Sequence, residues 1–279
     1  MSNTWLDERR YGGLDEIFRN TQPYVIAEIG SNWVNDSGSE NHYENCLGSI
    51  EIAKACGAQA IKFQYFNHME MYGREGSDKY ALPADYLSRL ADHCSQVDID
   101  FLCSGFSVDG LKTIEPHVQM HKIASSKVGD KNVIDYIKNS DKKFIVSDGM
   151  FDVPELDNVI PMACAASYPA QASDYNLFKL KKYADAPIGF GFSDHTLTYS
   201  LAQIMRAHGC TYFEKHVNFL RNSKSPDACV SVGAEQFATY IRIIKATEPG
   251  RPRLTKSNAR KLWGDKYDEK LKRYVRPKK

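Results

Sequence analysis

The chain has 279 residues, 42% of them hydrophobic, with 36 Lys plus Arg against 35 Asp plus Glu. That balance excludes both the strongly basic footprint of a nucleic-acid binder and the low hydrophobicity of a disordered chain. No apolar run approaches the roughly 18 residues of a membrane span, and the polar stretch 1–22 lacks the apolar core of a signal peptide, so a soluble protein without a membrane partner is expected.

Strand-like runs alternate with amphipathic stretches, the pattern of repeated βα units. The first strand is expected at 24–29. A helix follows at 44–55, with Leu47, Ile50 and Ile52 on one side and Gly57 as its C-terminal stop. Further strands are expected at 58–64, 100–104, 120–124, 144–147, 159–163, 188–193 and 211–216, and further helices at 84–97, 199–208 and 235–246. Eight strands in about 250 residues fit a (β/α)8 TIM barrel.

The expected organisation is an N-terminal extension (1–23), the barrel (24–248) and a basic C-terminal arm (249–279). The loop 67–82 carries Met69, Met71, Tyr72, Arg74 and Tyr80, and long loops in compact domains are often functional. The arm begins at Pro249-Gly250 and contains Trp263, Tyr267 and Tyr274. A charge run of this kind is more often a solvated or partner-docking surface than a nucleic-acid site. Seven cysteines, scattered and never spaced C-x-x-C, read as reduced thiols of a cytoplasmic protein; Cys103 and Cys164, with no base placed beside them by motif, read as small core residues.

In a parallel barrel the C-terminal strand ends converge on one mouth, and side chains two apart on a strand share a face. Lys62 with Gln64, Ser193 with His195 and Glu214 with His216 therefore point together into that mouth. A lone strand-end histidine is more often structural, but His195 and His216, from neighbouring strand ends, can hold a divalent metal with positions left open. Lys62 and Lys122 inside apolar strands favour an anionic ligand, and Ser104, Ser125, Ser147 and Ser193 add donors for phosphate or carboxylate.

The segments Ala27-Glu28-Ile29-Gly30-Ser31-Asn32, Ile61-Lys62-Phe63-Gln64, His121-Lys122-Ile123-Ala124-Ser125, Val146-Ser147-Asp148-Gly149-Met150, Tyr168-Pro169, Gly191-Phe192-Ser193-Asp194-His195-Thr196, Phe213-Glu214-Lys215-His216 and Ser225-Pro226-Asp227 occur in the order found in sialic acid synthases. The chain resembles that family from about residue 24 to 245. The resemblance implies a metal-dependent condensation of phosphoenolpyruvate with an aldose, releasing phosphate and forming a nonulosonic or related ulosonic acid. By position, His195 and His216 would ligate manganese or magnesium. Lys62, Ser104, Lys122, Ser125, Ser147 and Ser193 would contact phosphoenolpyruvate. Glu28, Gln64, Tyr168 and Asp227 would surround the acceptor and the attacking water, with Glu28 as proton-transfer group.

The departures lie on the acceptor side. Lys127 stands where the family has a sugar-binding glutamate, Ala166 where it has an asparagine, and Asp148 where it has a threonine. Lys127 leaves two readings open: it binds an anionic acceptor, or it pairs with Asp148 on the adjacent strand end. The resemblance implies a C-terminal antifreeze-like domain that closes the partner's site across a dimer; this chain is expected to lack it, and the arm is expected to pack on a second subunit in a homodimer. Two other readings remain at this point, a synthase for a shorter or phosphorylated sugar of the eight-carbon ulosonic type and a catalytically silent barrel that only binds.

Overall fold

The computed structural model describes residues 22–35, 41–183, 186, 188–220 and 224–249, together with the backbone of two short strands near the C-terminus. Eight parallel strands close into a barrel in sequence order: β1 (Tyr24–Gly30), β2 (Ala60–Tyr65), β3 (Asp100–Gly105), β4 (Met120–Ile123), β5 (Lys143–Ser147), β6 (Val159–Cys164), β7 (Gly191–Asp194) and β8 (Tyr212–His216). β8 pairs with β1 through Glu28 and His216, which completes the ring. The expected (β/α)8 architecture is therefore the observed one. β7 starts later than expected because Gly189, at φ 88°, still turns the chain into the strand.

Around the barrel lie α1 (His42–Cys56), α2 (His68–Tyr72), α3 (Ala84–Gln96), α4 (Val108–Ile114), α5 (Lys131–Lys138), α6 (Leu180–Tyr183), α7 (Ser200–Ala207) and α8 (Ala234–Ala246). In α1 the buried stripe is Cys46, Ser49, Ile50 and Ala53, the i, i+3, i+4, i+7 spacing of a 3.6-residue helix. Ile52, expected on that side, is exposed because it lies two positions from Ile50 and so on another face. The loop 67–82 is not plain coil: Asn67 and Glu70 form a reciprocal capping box that starts α2.

Inner and outer strand residues divide by pleat. The outer set, including Val25, Ala27, Ile61, Phe63, Phe144, Val146, Phe192 and Phe213, packs against the helices. The inner set changes along each strand. Toward the N-terminal ends it is apolar, with Ile26, Ala60, Leu102, Ile145, Ile160 and Met162 filling the barrel. One step on, toward the C-terminal ends, it becomes Glu28, Lys62, Ser104, Lys122, Ser147, Ser193 and Glu214, all buried. The apolar plug thus forms the floor of a polar chamber.

Residues 1–21 of the expected extension and most of the arm, Trp263 included, lie outside the described residues. Of the arm, Tyr267–Asp268 and Arg273–Tyr274 form an antiparallel pair.

Candidate active site

Two lysines and two carboxylates meet in the chamber. Lys62 Nζ lies 2.7 Å from Glu28 Oε2 and 3.6 Å from Glu214 Oε2, and donates to Ser104 Oγ at 3.0 Å. Lys122 Nζ lies 3.6 Å from Glu214 Oε1 and donates to Ser147 Oγ at 2.9 Å. Ser193 Oγ donates to Glu214 Oε1 at 2.8 Å, and Gln64 Nε2 to Glu28 Oε1 at 2.8 Å.

These charges are removed from water, so burial and mutual attraction compete. For Glu28 burial wins over the attraction of Lys62, and its carboxyl rises to about 7. For Glu214 burial is overcome by Lys122 and Lys62, which hold it down at about 2. Burial lowers Lys122, while Glu214 and Glu28 keep Lys62 raised against the same penalty. Near neutral pH one carboxyl can take up or release a proton beside another that stays ionised.

His195 and His216 stand next to these groups with ring centroids 5.2 Å apart. The Nδ1 of His195 engages the Ala165 carbonyl at 2.6 Å, which turns Nε2 toward Ser193 Oγ at 3.2 Å. Burial and neighbouring His216 push His195 down to about 3, so its imidazole is neutral. Burial also lowers His216, against the pull of Asp227 and Glu214. The buried His216 Nδ1 makes no hydrogen bond and lies 3.8 Å from Asp227 Oδ1. A neutral imidazole fixed through its other nitrogen by a carbonyl, beside an unbonded imidazole nitrogen, suits a divalent cation. Among the described residues no three His, Cys, Asp or Glu side chains are grouped for metal binding, so oxygen ligands from water or substrate would complete the shell.

Asp227 reaches this place from the short 3-10 turn Pro226–Val230. Its Oδ2 accepts from Ser31 N at 2.8 Å and Ser31 Oγ at 2.5 Å. β1 bulges between Glu28 and Gly30, and Gly30 has φ 51°. A Cβ at Gly30 would collide with the Asp227 carboxylate, so both the backbone conformation and the close approach require glycine there.

Tyr168 lies over the imidazoles, its ring 4.4 Å from that of His195 and 5.7 Å from that of His216. Ser125 is half-buried beside Gly149 at the rim. Lys127 does not pair with Asp148. Its Nζ donates to the Glu70 carbonyl of α2 at 2.6 Å, while Asp148 accepts from the Tyr183 hydroxyl at 2.6 Å and from Cys164 N at 2.8 Å, with Lys179 at 3.4 Å. The strand ends are adjacent as expected, but the loop between β6 and β7 reaches Asp148 first.

The structure therefore brings Glu28, Lys62, Gln64, Ser104, Lys122, Ser147, Ser193, His195, His216, Asp227 and Tyr168 into one mouth and leaves Lys127 and Ser125 at its rim. Glu214 belongs to the centre although it was expected only to face the mouth; its position two residues before His216 was the available signal. Ser31, inside the quoted Ala27–Asn32 segment, holds Asp227 and carried no such signal.

The fold agrees with comparisons to known proteins. An N,N'-diacetyllegionaminic acid synthase of Legionella pneumophila is 25% identical over 86% of this chain and 76% of its own. The N-acetylneuraminate-9-phosphate synthase of Homo sapiens is 25% identical over 81% of this chain and 70% of its own. The crystal structure of an N-acetylneuraminic acid synthetase from Leptospira borgpetersenii superposes with a TM-score of 0.73 at 23% identity, covering 87% of this chain and 91% of the other. The NeuB family model matches residues 49–251, from inside α1 through α8 and so across seven of the eight strands that carry the chamber, and the chain belongs to the NeuB family.

Proposed function

We propose that this barrel condenses phosphoenolpyruvate with an aldose and water to give an ulosonic acid and inorganic phosphate. Membership of the NeuB family and relatives that are sialic- and legionaminic-acid synthases support that general reaction. The observation that carries it here is the buried Lys62–Glu28–Glu214–Lys122 cluster with its three serines. Phosphate and carboxylate of the substrate would take lysine and serine donors now directed at Glu28, Glu214 and one another. C3 of phosphoenolpyruvate then attacks the aldehyde carbon, whose oxygen takes up a proton and becomes a hydroxyl. Water adds at C2 with loss of one proton, and the remaining C2 hydroxyl gives up its proton to the departing phosphate as the C2–O bond to phosphate breaks and the ketone forms. Glu28, whose carboxyl burial raises to about 7, takes the proton of the attacking water in its ionised form.

His195 and His216 would hold a divalent ion, manganese or magnesium, whose chemistry when bound is to polarise the acceptor's aldehyde oxygen. Gln64, Asp227 and Tyr168 line the acceptor side. Lys127 keeps two N–H donors beyond the one given to Glu70, and these serve the acceptor at the rim, as Ser125 serves the phosphate.

Homodimerisation and a cytoplasmic location belong to the same reading. The loops around the mouth expose Met69, Tyr72, Met150, Phe151, Phe178 and Leu197, and Phe178 is 95% exposed. An apolar rim of this kind is a surface for a second subunit. All seven cysteines are free, as a reducing compartment requires, and no helix among the described residues is long and apolar enough to cross a membrane.

The test is phosphate release from phosphoenolpyruvate with a panel of aldoses, N-acetylhexosamines and sugar phosphates, with and without manganese. Release that needs one acceptor and the metal supports the proposal. No release with any acceptor, in protein shown to be folded, removes it.

A further inference from the structure

The placement of His195 depends on groups that lie outside the chamber. In a parallel ladder, the C=O of one residue and the N–H two positions on bond to a single residue of the neighbouring strand. At the end of β7 those groups are Ser193 C=O and His195 N–H, and β6 ends at Cys164, the partner of Ser193. The hydroxyl of Tyr175, from the loop between β6 and β7, takes the missing residue's place. It donates to Ser193 O at 3.1 Å and accepts from His195 N at 2.8 Å. The same loop supplies Ala170 N to His195 O at 2.9 Å and the Ala165 carbonyl to its ring. The Tyr175 ring is buried against Phe192 at 5.0 Å, which fixes where the hydroxyl sits.

The outer face of the same strand end is held as firmly. Asp194 and Lys215 are neighbours in register on β7 and β8, both fully buried, with Nζ 3.4 Å from Oδ1. That Asp194 oxygen also accepts from Thr196 N at 2.9 Å and Thr196 Oγ1 at 2.7 Å, and Lys215 donates to the Thr196 carbonyl. By the alternation of the pleat, fixing Asp194 and Lys215 outward fixes Ser193, His195, Glu214 and His216 inward.

We propose that Tyr175, with the Asp194–Lys215 pair behind it, is a positioning residue that sets the strand end presenting His195 and Ser193 to the chamber. This rests on the reading of His195 as a site residue. A purely structural role would alter stability without altering the imidazole.

The experiment uses the full chain labelled with 15N-histidine and free of metal, comparing wild type with Tyr175→Phe, which removes one oxygen and keeps the packed ring. His195 in the wild type is expected to show the single tautomer protonated at Nδ1. In Tyr175→Phe that signature should give way to a tautomer mixture, while His121, buried elsewhere against Glu115, keeps its own and reports an intact fold. Manganese titration should then show at least tenfold weaker binding in the variant. An unchanged His195 spectrum with a lowered melting temperature would overturn the proposal. Should Tyr175→Phe not fold, Thr196→Val, which loosens the outer clamp, is read in the same way. Wild-type protein that binds no manganese, or a His195→Ala variant that binds it equally well, would remove the metal reading, and the tautomer signature then decides the positioning role alone.

Discussion

The two sides of the barrel mouth are built differently. On the lysine side Glu28, Lys62, Ser104, Lys122, Ser147, Ser193 and Glu214 are buried on strands and bonded to one another. On the proposed acceptor side only Gln64 lies on a strand, and the rest sits on loops: Tyr168 is 48% exposed, Asp227 comes from a 3-10 turn, and α2, with Tyr72 50% exposed, is held by Lys127 and by Ser107, which donates to Glu70 at 2.9 Å. On the proposed function, a rigid, pre-organised cradle suits phosphoenolpyruvate, whereas loops, which tolerate substitution, suit an acceptor that can vary.

The comparison breaks most sharply at Glu28. Glu28→Gln keeps the shape and the hydrogen bond from Gln64 but cannot take a proton, and general base catalysis contributes roughly 10²- to 10⁴-fold. Turnover should fall by about that factor while phosphoenolpyruvate still binds; an unaffected rate of phosphate release would remove Glu28 from the chemistry. Lys122→Met comes next. A charge-assisted bond is worth about 1.5–3 kcal/mol, so calorimetry should show phosphoenolpyruvate binding weakened roughly ten- to a hundredfold. It also leaves Glu214 with one lysine fewer, and removing one partner of a buried pair costs about 3–5 kcal/mol, visible in denaturant unfolding. Unchanged binding and stability together would mean that the lysine side is not the anion cradle.

How far the sequence could be read follows the same division. Strand alternation and the apolar runs located all eight strands, and residues two apart on them reached the chamber, because backbone geometry dictates both. Glu214 was within reach of that rule. The Lys127–Asp148 pairing failed because strand order cannot say where a long loop returns: Tyr183 and Lys179, over thirty residues past Asp148 in sequence, occupy its carboxylate. Tyr175 was out of reach for the same reason, its role resting on one hydroxyl placed by a loop. The Asn67–Glu70 capping box was legible as a motif, yet five residues of helix inside a loop leave little periodicity to detect.

Lys127→Met tests the loop side with a smaller effect. The bond to the Glu70 carbonyl caps the end of α2, where unpaired carbonyls favour a cation, and α2 buries no residue of its own. Partial solvent exposure reduces the worth of this bond to about 1 kcal/mol, which corresponds to a roughly fivefold larger open population of the loop. Trypsin cleavage at Arg74 and Lys79 should accelerate by about that factor, with phosphoenolpyruvate affinity unchanged. Equal cleavage rates would show that Lys127 does not hold α2.

The smallest effect separates the outer layer of the barrel from both sides of the mouth. On β4, Lys122 faces inward and His121 outward, where His121 Nε2 lies 2.6 Å from Glu115 Oε2 and its ring stacks on Phe144 at 5.0 Å. Burial lowers His121 despite that carboxylate, and Glu115, though burial opposes it, is lowered by hydrogen bonds from Tyr136 and His121, so the pair is a neutral imidazole on an ionised carboxylate. The sign follows: below the ordinary 6.5 the unfolded chain protonates this histidine while the folded chain resists, so stability falls as pH drops below about 6.5. His121→Phe keeps the stacking surface and removes the proton uptake. Its melting temperature should therefore fall less than that of the wild type between pH 7 and pH 5.5, with phosphoenolpyruvate affinity untouched at either pH. Parallel melting curves over that range would show that the acid sensitivity arises in the chamber and not on the outer face of β4.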